Sequence, residues 1–191
     1  MIYLNDHIDD LNVEIALEEV SPQRRERVLR IKVDRDRKRS LAAYLLLKEG
    51  LQKEYGIVEN PIFEYGPEGK PVLAGHPDIH FSISHAGHVA LCVIDNEPVG
   101  ADVEVLRRIK PQLISFTMNE EEQGMINAAP DAGVAFLELW TQKEAVLKLA
   151  GMGIRRDMTG VLADVTPYSI ETVNGNDYVY SIARWGEKEE R

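Results

Sequence analysis

The sequence predicts a mixed helix-and-strand fold of the α+β class, arranged as two similar halves. Two observations support this prediction. A long helical pattern is followed by three short strand patterns, and this order occurs twice along the chain. With 191 residues, 44% of them hydrophobic, the chain can bury a substantial core as one domain or as two lobes sharing one. The identity between the halves is too slight to establish a repeat by itself.

The first half is predicted to centre on a long helix over residues 36–53, because apolar side chains recur there at helical spacing and form one wide face. It should end near Gly56. Ser21 before Pro22 predicts the start of an earlier helix, since serine caps helices and proline suits the first helical position. A loop rich in glycine and proline is predicted over residues 66–71. Strands are predicted at Met1–Leu4, Leu11–Ile15, Pro61–Tyr65, Ile79–Ser84 and Val89–Ile94, the last two as a hairpin.

The second half is predicted to repeat this order. An acidic helix over Asn119–Ile126 precedes a long helix over Val134–Leu149, which Gly151 and Gly153 should close. Asn174 and Gly175 form a favourable hairpin turn between the last two strands. Strands are predicted at Val99–Val103, Val161–Val165, Tyr168–Val173 and Asp177–Ala183.

A pair of carboxylates is the first chemical feature, in the run Gly100-Ala101-Asp102-Val103-Glu104. Side chains on a strand alternate between faces, so Asp102 and Glu104 should point the same way and offer paired oxygen ligands. A hard cation such as Mg²⁺ prefers such ligands. Taken alone, the pair is equally compatible with a solvated strand edge.

The second feature is the run from Trp140 to Lys148 on the predicted long helix. Trp140, Glu144 and Lys148 recur every four residues and therefore share one face, with Lys143 beside them. Taken alone, Glu144 and Lys148 are also an ordinary helix pair worth a few tenths of a kcal/mol. If the helix and the acidic strand meet, three carboxylates and two lysines would form a site for a metal-bound polyphosphate.

A third segment, Phe81-Ser82-Ile83-Ser84-His85-Ala86-Gly87-His88, precedes these two. In this order the three segments resemble the 4′-phosphopantetheinyl transferases of the two-lobed, surfactin-activating (Sfp) type, in the holo-acyl-carrier-protein synthase superfamily. The motifs Gly-x-Asp-x-Glu and Trp-[Ser/Thr]-x-Lys-Glu-Ala-x-x-Lys are both complete, and weaker similarity reaches back to about Ser21. The chain departs at Ala101, where the family more often has Ile or Val, and has a short C-terminal region. The resemblance implies a monomeric pseudo-dimer with lobes at 1–98 and 99–191, each a long helix on a small antiparallel sheet, and a ligand cleft between them.

The resemblance also implies a reaction. A serine of an apo acyl or peptidyl carrier protein would attack the β-phosphate of coenzyme A, take up 4′-phosphopantetheine and release adenosine 3′,5′-bisphosphate. Asp102, Glu104 and Glu144 would hold Mg²⁺ against the pyrophosphate, and Lys148 would complement the charge that develops. Glu144 is also the best candidate for the general base, directly or through a metal-bound water.

The nucleotide end of coenzyme A should contact the first lobe. Arg24 and Arg27 match family positions that contact the 3′-phosphate, a dianion that suits arginine. Ser84 and His85 are not expected to act as a hydrolase pair, because neighbouring strand residues face opposite ways. Without the motif, His85 could equally be a strand-end histidine bonded to backbone. The resemblance places Arg39 and Ser40 near the adenine, Lys70, Lys143 and Lys148 near the phosphates, and Ser84 and His85 on a phosphate.

Charge and composition narrow the function classes. The net charge is −10, yet residues 21–40 carry nine basic and three acidic side chains. So acidic a chain is a poor candidate for general nucleic-acid binding, whereas a compact basic segment suits a polyphosphate or an acidic protein, or is simply a solvated helix surface. The single cysteine, Cys92, lies in an apolar run, which favours a reducing compartment. No secretion signal or membrane span is evident, so we expect a cytoplasmic protein with no membrane partner.

Two alternatives to this reaction stay open. One is a non-catalytic relative that binds coenzyme A or a carrier. The other is a metal-dependent hydrolase of nucleotide pyrophosphates, which would turn over coenzyme A without a carrier.

The carrier is expected to dock on the second lobe, around residues 110–125, through a mixed apolar and basic patch, because an enzyme of this net charge cannot attract an acidic carrier over a long range. Two of the apolar candidates, Ile114 and Phe116, are equally compatible with a place in the core. The candidates are Ile114, Phe116 and Met118, with the basic residues Arg107, Arg108 and Lys110.

Overall fold

The computed structural model describes residues 1–66, 69–152, 157–163 and 168–186 and has the predicted α+β fold. Within these residues, helices alternate with strands of three small antiparallel sheets. The helices are α1 Val13–Glu18, α2 Pro22–Leu29, α3 Asp34–Tyr55, α4 Pro111–Thr117, α5 Glu120–Ala128 and α6 Ala132–Leu149. The strands are β1 Ile2–Asn5, β2 Phe63–Tyr65, β3 Pro71–Leu73, β4 His80–Ala86, β5 Val89–Asp95, β6 Val99–Val105, β7 Tyr168–Asn174 and β8 Tyr178–Trp185.

The two halves have the same topology. The first sheet has the order β1-β5-β4 and the second the order β6-β8-β7, so in each the last strand of the half lies between the other two. The long helix α3 packs on the first sheet and the long helix α6 on the second. The remaining sheet is the β2-β3 hairpin, which extends from the first half. The twofold order of helix and strands that the sequence indicated is thus a duplicated architecture.

The two sheets share one core. Apolar side chains of β5 pack against those of β6 and β8, and all are at most 1% exposed. Ser82 of β4 adds a polar link, since its hydroxyl accepts a hydrogen bond from Ala101 N (2.9 Å) on the outer edge of β6. Arg184 of β8 is paired with Asp95 of β5 (2.9 Å). The halves are therefore joined by buried contacts. The shared core consists of Val89, Leu91, Val93, Val99, Ala101, Val103 and Ile182.

Gly100 sets the distance between β6 and α6. A Cβ atom at this position would lie 2.0 Å from Ala145 O and 2.4 Å from Leu149 N, both of them backbone atoms of α6. Only glycine permits this approach. On the next strand, Ser181 lies opposite Asp102 and bonds Thr141 of α6 (2.8 Å), which fixes the helix along the sheet.

The helix boundaries follow local signals that the sequence carries. The Ser21 side chain accepts from Arg24 N (3.2 Å) and Pro22 is the first residue of α2, as predicted. Gly56, with φ of 67°, ends α3. Asn119 and Glu122 form a capping box at the start of α5.

Several predicted elements are wrong or incomplete. Leu11–Ile15 is not a strand, because the Asn12 side chain accepts from two backbone amides and caps α1. Residues 161–163 form a turn, while 164–165 and Gly153 lie outside the described residues. Helix α4 and strand β3 were not predicted, and β3 begins at Pro71, inside the predicted loop. Among the described helices, none combines the length and the apolar character needed to cross a membrane.

Gly100→Ala is expected to lower the free energy of unfolding by about 1 to 3 kcal/mol or more, because the added methyl group must push β6 away from the α6 backbone. Urea unfolding measures this change. Gly124→Ala is the matched control, since no atom lies within 4 Å of a Cβ there and alanine in a helix interior should stabilise α5 by up to about 1 kcal/mol. Equal stability of the two variants would contradict the close contact.

Candidate active site

The centre of the site is the carboxylate of Asp102, which lies where three elements meet. Its Oδ1 accepts one hydrogen bond from Ser84 Oγ of β4 (2.7 Å) and one from Lys148 Nζ of α6 (2.7 Å). Lys148 also donates to Ala101 O (3.0 Å). Asp102 is 6% exposed, so these partners compensate a buried charge. The Oδ1 atom of Asp102 thus joins the first half, through Ser84, to α6 of the second half, through Lys148.

Glu144 lies one turn before Lys148 on α6 and has an unpaired buried oxygen. It is 8% exposed, and within the described residues its Oε1 has no hydrogen-bond partner. Burial, and then the charge of Asp102, raise the pKa of this carboxyl to about 7, although Lys148 works in the opposite direction. A buried carboxylate oxygen without a partner is costly, so a cation or a proton donor would stabilise it.

Glu104 is the third carboxylate of this cluster. Burial and the charge of Asp102 raise its pKa, while Arg107, whose Nη2 lies 3.4 Å from Oε2, lowers it. Its side chain is 21% exposed, which leaves it more open to solvent than the other two. Asp102, Glu104 and Glu144 therefore repel one another across one small region, and Lys148 offsets only part of that charge.

These carboxylates suit a hard divalent cation by residue type. Three carboxylate side chains supply oxygen ligands of the kind Mg²⁺ prefers, and the unpaired Oε1 of Glu144 is available to one. Over the described ranges, however, no group of three or more His, Cys, Asp or Glu side chains is close enough to hold a metal ion jointly. The three acids interact through their charges, and joint coordination would require their side chains to turn toward one another.

A basic cavity of about 300 Å³ lies in the first half, between α2, α3 and the β2 strand. Arg24 and Arg27 both line it. Arg24 is 9% exposed and donates to Ser40 O (2.5 Å) and Ser40 Oγ (2.9 Å). Burial, and then the charge of Arg27, lower the pKa of its guanidinium.

Lys70 lies between the two halves. Its Nζ donates to Val99 O (3.3 Å) at the start of β6 and to Leu149 O (3.2 Å) at the end of α6. Burial lowers its pKa. Lys70 and Lys148 line a second cavity of about 200 Å³, together with Ser82.

His85 is affected by positive charges from two places, Lys148 beside the acidic cluster and Arg24 of the basic cavity. Packing around the ring, followed by the charges of Lys148, Arg39 and Arg24, lowers the pKa of His85, although part of the ring remains exposed. Arg39 donates to Gly87 O (2.8 Å) in the turn after β4, which holds it near this histidine.

Comparison with known proteins agrees with the motifs. The sequence model of the 4′-phosphopantetheinyl transferase superfamily matches residues 98–189, and that of the 4′-phosphopantetheinyl transferase N-terminal region matches residues 9–97. A 4′-phosphopantetheinyl transferase of Bacillus subtilis is 32% identical over 167 residues, which cover 83% of this chain and 73% of the relative. The chain belongs to the 4′-phosphopantetheinyl transferase superfamily.

Two further relatives support this assignment. The 4′-phosphopantetheinyl transferase psf-1 of Bacillus pumilus is 29% identical over 163 residues, covering 82% of this chain and 70% of the relative. The 4′-phosphopantetheinyl transferase Sfp of Bacillus subtilis strain 168 is 28% identical over 156 residues, covering 80% and 70%. The chain is accordingly a transferase enzyme of the phosphopantetheinyl class.

Lys143 does not join the site of this transferase. It is 0% exposed, and its Nζ donates to Glu122 Oε2 (2.6 Å), Met158 O (2.8 Å) and Thr117 O (3.0 Å). All three of its donors are therefore used inside the protein. Lys143 lies five residues before Lys148, about 140° around the helix, so the two lysines cannot share a face. The prediction of Lys143 as a coenzyme A ligand is corrected to a structural link from α6 to α5.

The predicted carrier-docking residues separate into two groups. Met118 is 1% exposed and packs in the core with Ile126 and Phe136, so it cannot contact a partner. Ile114 packs partly against the same cluster. Phe116 is 68% exposed and remains available. The prediction that Met118 contacts the carrier is therefore wrong. Met118 follows α4 in an extended conformation that directs its side chain inward.

Two tyrosines of the basic cavity were missed by the sequence analysis. Tyr44 lies on α3, with its ring 5.4 Å from the Arg24 guanidinium, and Tyr65 lies on β2, with its ring 5.6 Å from that of Arg27. A signal for Tyr44 was present, because it follows Ser40 by four residues on the same helix face. Nothing local indicated Tyr65, which meets Arg27 only through the tertiary fold.

Lys143→Met is expected to lower the free energy of unfolding by about 3 to 5 kcal/mol, because it leaves Glu122 as an uncompensated buried carboxylate. Urea unfolding of the single variant and of Lys143→Met with Glu122→Gln checks the pair, since the double variant should recover much of the loss. Wild-type stability in the single variant, combined with lost coenzyme A binding, would instead assign Lys143 to the ligand.

Proposed function

We propose that this transferase moves 4′-phosphopantetheine from coenzyme A to a serine of an apo acyl or peptidyl carrier protein, as a cytoplasmic monomer with lobes at residues 1–98 and 99–191. The observation that carries the proposal is the meeting of Ser84, Asp102 and Lys148 beside Glu144, whose Oε1 has no hydrogen-bond partner among the described residues. Together these groups supply charge neutralisation and a proton acceptor where the two lobes adjoin. Phosphoryl transfer depends mainly on positioning and charge neutralisation.

In the proposed reaction the serine oxygen bonds to the β-phosphorus of coenzyme A, and the bond from that phosphorus to the bridging oxygen breaks. Adenosine 3′,5′-bisphosphate leaves with the electron pair. Glu144 is the proposed general base for the serine proton, because it lies at the acidic cluster and an ionised carboxylate can accept a proton. Lys148 stabilises the negative charge on the phosphate oxygens.

Asp102, Glu104 and Glu144 are the proposed ligands of Mg²⁺. Their carboxylate oxygens are of the type that this cation prefers, although the three side chains would have to turn toward one another to hold it jointly. A bound Mg²⁺ would supply charge neutralisation at the pyrophosphate. It would also relieve the repulsion by which Asp102 and Glu104 raise the pKa of Glu144. Lys148 already neutralises part of the charge of Asp102 (2.7 Å). A bound cation would neutralise the remaining charge of the three carboxylates.

The nucleotide end is proposed to lie in the first lobe. Arg24 and Arg27 bind the 3′-phosphate in the basic cavity, and Lys70 reaches the pyrophosphate from the cavity that it shares with Lys148. Arg39 and Ser40 adjoin the adenine, and Ser84 and His85 adjoin a phosphate. Ser40 supports Arg24 in this arrangement, which makes its contribution partly indirect.

The carrier is proposed to dock beside α4. Phe116 offers an exposed apolar side chain there, and Arg107, Arg108 and Lys110 add exposed positive charge close by in the chain. Such a patch suits an acidic helical partner, because local charge acts at short range even where the net charge is unfavourable.

Asp102→Asn or Glu144→Gln is expected to lower transfer by about a hundredfold or more, a loss of about 3 kcal/mol of transition-state stabilisation, because each removes a charge from the cluster. Intact-mass measurement of an apo-carrier with coenzyme A and Mg²⁺ reports the transfer. Glu138→Gln is the matched control, since Glu138 is a half-buried acid elsewhere on α6 that accepts a hydrogen bond from Asn174 (2.7 Å). Near-normal turnover of either site variant would remove that residue from the mechanism.

The same assay with the wild type tests the two alternative functions. Consumption of coenzyme A without any carrier present would favour a pyrophosphate hydrolase. No turnover with any carrier would favour a non-catalytic relative.

Replacing both Arg24 and Arg27 with alanine is expected to weaken coenzyme A binding and to spare 3′-dephospho-coenzyme A. Each charge-assisted contact that is lost is worth about 1.5 to 3 kcal/mol. Calorimetric titration with the two ligands measures the difference. Equal weakening of both ligands would show that these arginines maintain the fold and do not bind the 3′-phosphate.

A further inference from the structure

Two arginine–tyrosine pairs line the basic cavity. The Arg24 guanidinium lies 5.4 Å from the ring centroid of Tyr44, and that of Arg27 lies 5.6 Å from the ring of Tyr65. All four residues line the same space of about 300 Å³. Contacts of this kind hold a cation over a ring without cancelling its charge.

The charge of this cavity is not balanced from within. Across the described ranges, neither Arg24 nor Arg27 forms an ion pair with a carboxylate, and Glu26, the acid of the cavity lining, is paired with Arg30 (2.5 Å). Arg24 Nε is buried and has no hydrogen-bond partner among the residues that the structure describes. Burial, and then the charge of Arg27, lower the pKa of Arg24, so the two guanidiniums also repel each other. An anion in the cavity would relieve this repulsion.

The two arginines are held in different ways. Arg24 is buried and fixed by two hydrogen bonds to Ser40 on the long helix α3. Arg27 is exposed, and among the described residues its side chain donates only to the Tyr65 hydroxyl, on the short strand β2. An arginine side chain on a helix surface has many rotamers, and ordering one costs conformational entropy. The hydroxyl and ring of Tyr65 therefore decide where this guanidinium lies.

We propose that Tyr65 is a positioning residue for Arg27, holding its guanidinium at the cavity mouth opposite Arg24 so that both arginines bind one phosphate monoester, the 3′-phosphate of coenzyme A. This inference rests on the proposed function. The Tyr65 hydroxyl accepts a single N–H of Arg27, and the remaining donors of that guanidinium stay available to the phosphate. Tyr65 acts through Arg27 and sets the preference for the 3′-phosphorylated nucleotide.

Tyr65→Phe tests the hydroxyl while it keeps the ring. We expect its dissociation constant for coenzyme A to rise about three- to tenfold, the range for one net hydrogen bond, with little change for 3′-dephospho-coenzyme A. Calorimetric titration of the complete chain with each ligand gives both values. Tyr55→Phe is the matched control, since it removes another exposed tyrosine hydrogen bond, to Asn96 Oδ1 (2.8 Å), far from this cavity lining. Urea unfolding of both variants reports any effect on the fold.

A double-variant cycle separates positioning from direct contact. In an Arg27→Ala background, Tyr65→Phe should no longer alter coenzyme A binding, because the group that it positions is gone. An undiminished effect in that background would overturn the proposal. Equal weakening of coenzyme A and its 3′-dephospho form would also overturn it, because the hydroxyl would then act on a part of the ligand that both forms share. If the wild type binds both ligands equally, the 3′-phosphate assignment itself is wrong and the Tyr65 inference falls with it. If the wild type prefers coenzyme A and Tyr65→Phe keeps that preference unchanged, only the Tyr65 inference fails.

Discussion

The direct contact between β6 and α6 at Gly100 is the constraint on which the rest of the site depends. Because no side chain separates the strand from the helix backbone, Asp102, two residues further along, comes within 2.7 Å of Lys148. The same contact brings Val99 O and Leu149 O together under the ammonium of Lys70. Residues from three separate segments thus converge because one position lacks a Cβ atom, and a larger residue there would separate all of them at once.

The distribution of charge between the halves gives each a distinct task. The second half contributes three carboxylates and one partly buried lysine, and the first contributes the arginines of the basic cavity together with Ser84 and His85. The acids repel one another and so do the two guanidiniums, so the acidic cluster and the basic cavity each hold charge of one sign that is only partly compensated. A ligand that carries both a phosphate dianion and a metal-bound pyrophosphate would neutralise both at the same time.

Local patterns in the sequence were sufficient to predict which side chains of one strand or one helix point the same way. Strand alternation grouped Asp102 with Glu104, and helical spacing grouped Glu144 with Lys148. The errors arose where tertiary contacts override a local pattern. Lys143 adjoins Glu144 in the chain, yet it faces the core and Glu122. Asn12 caps the short helix α1, whereas the alternation of apolar and polar residues there had predicted a strand. Tyr65 reaches Arg27 only because the β2-β3 hairpin folds back over α2, a meeting of distant segments that no spacing rule encodes.

The position of the central strands has a consequence for synthesis on the ribosome. In both sheets the strand in the middle is the last one of its half to be made, so neither sheet can close until β5 or β8 has emerged. Once β5 has joined β1 and β4, its Val89, Leu91 and Val93 side chains still await the partners that β6 and β8 supply. Strand β6 follows β5 directly, but Ile182 of β8 is made only near the end of the second half, so the cover of this apolar face stays incomplete until then. Apolar surface that is left open in a half-made chain favours aggregation, so the order of synthesis makes completion of β8 the step that closes this core.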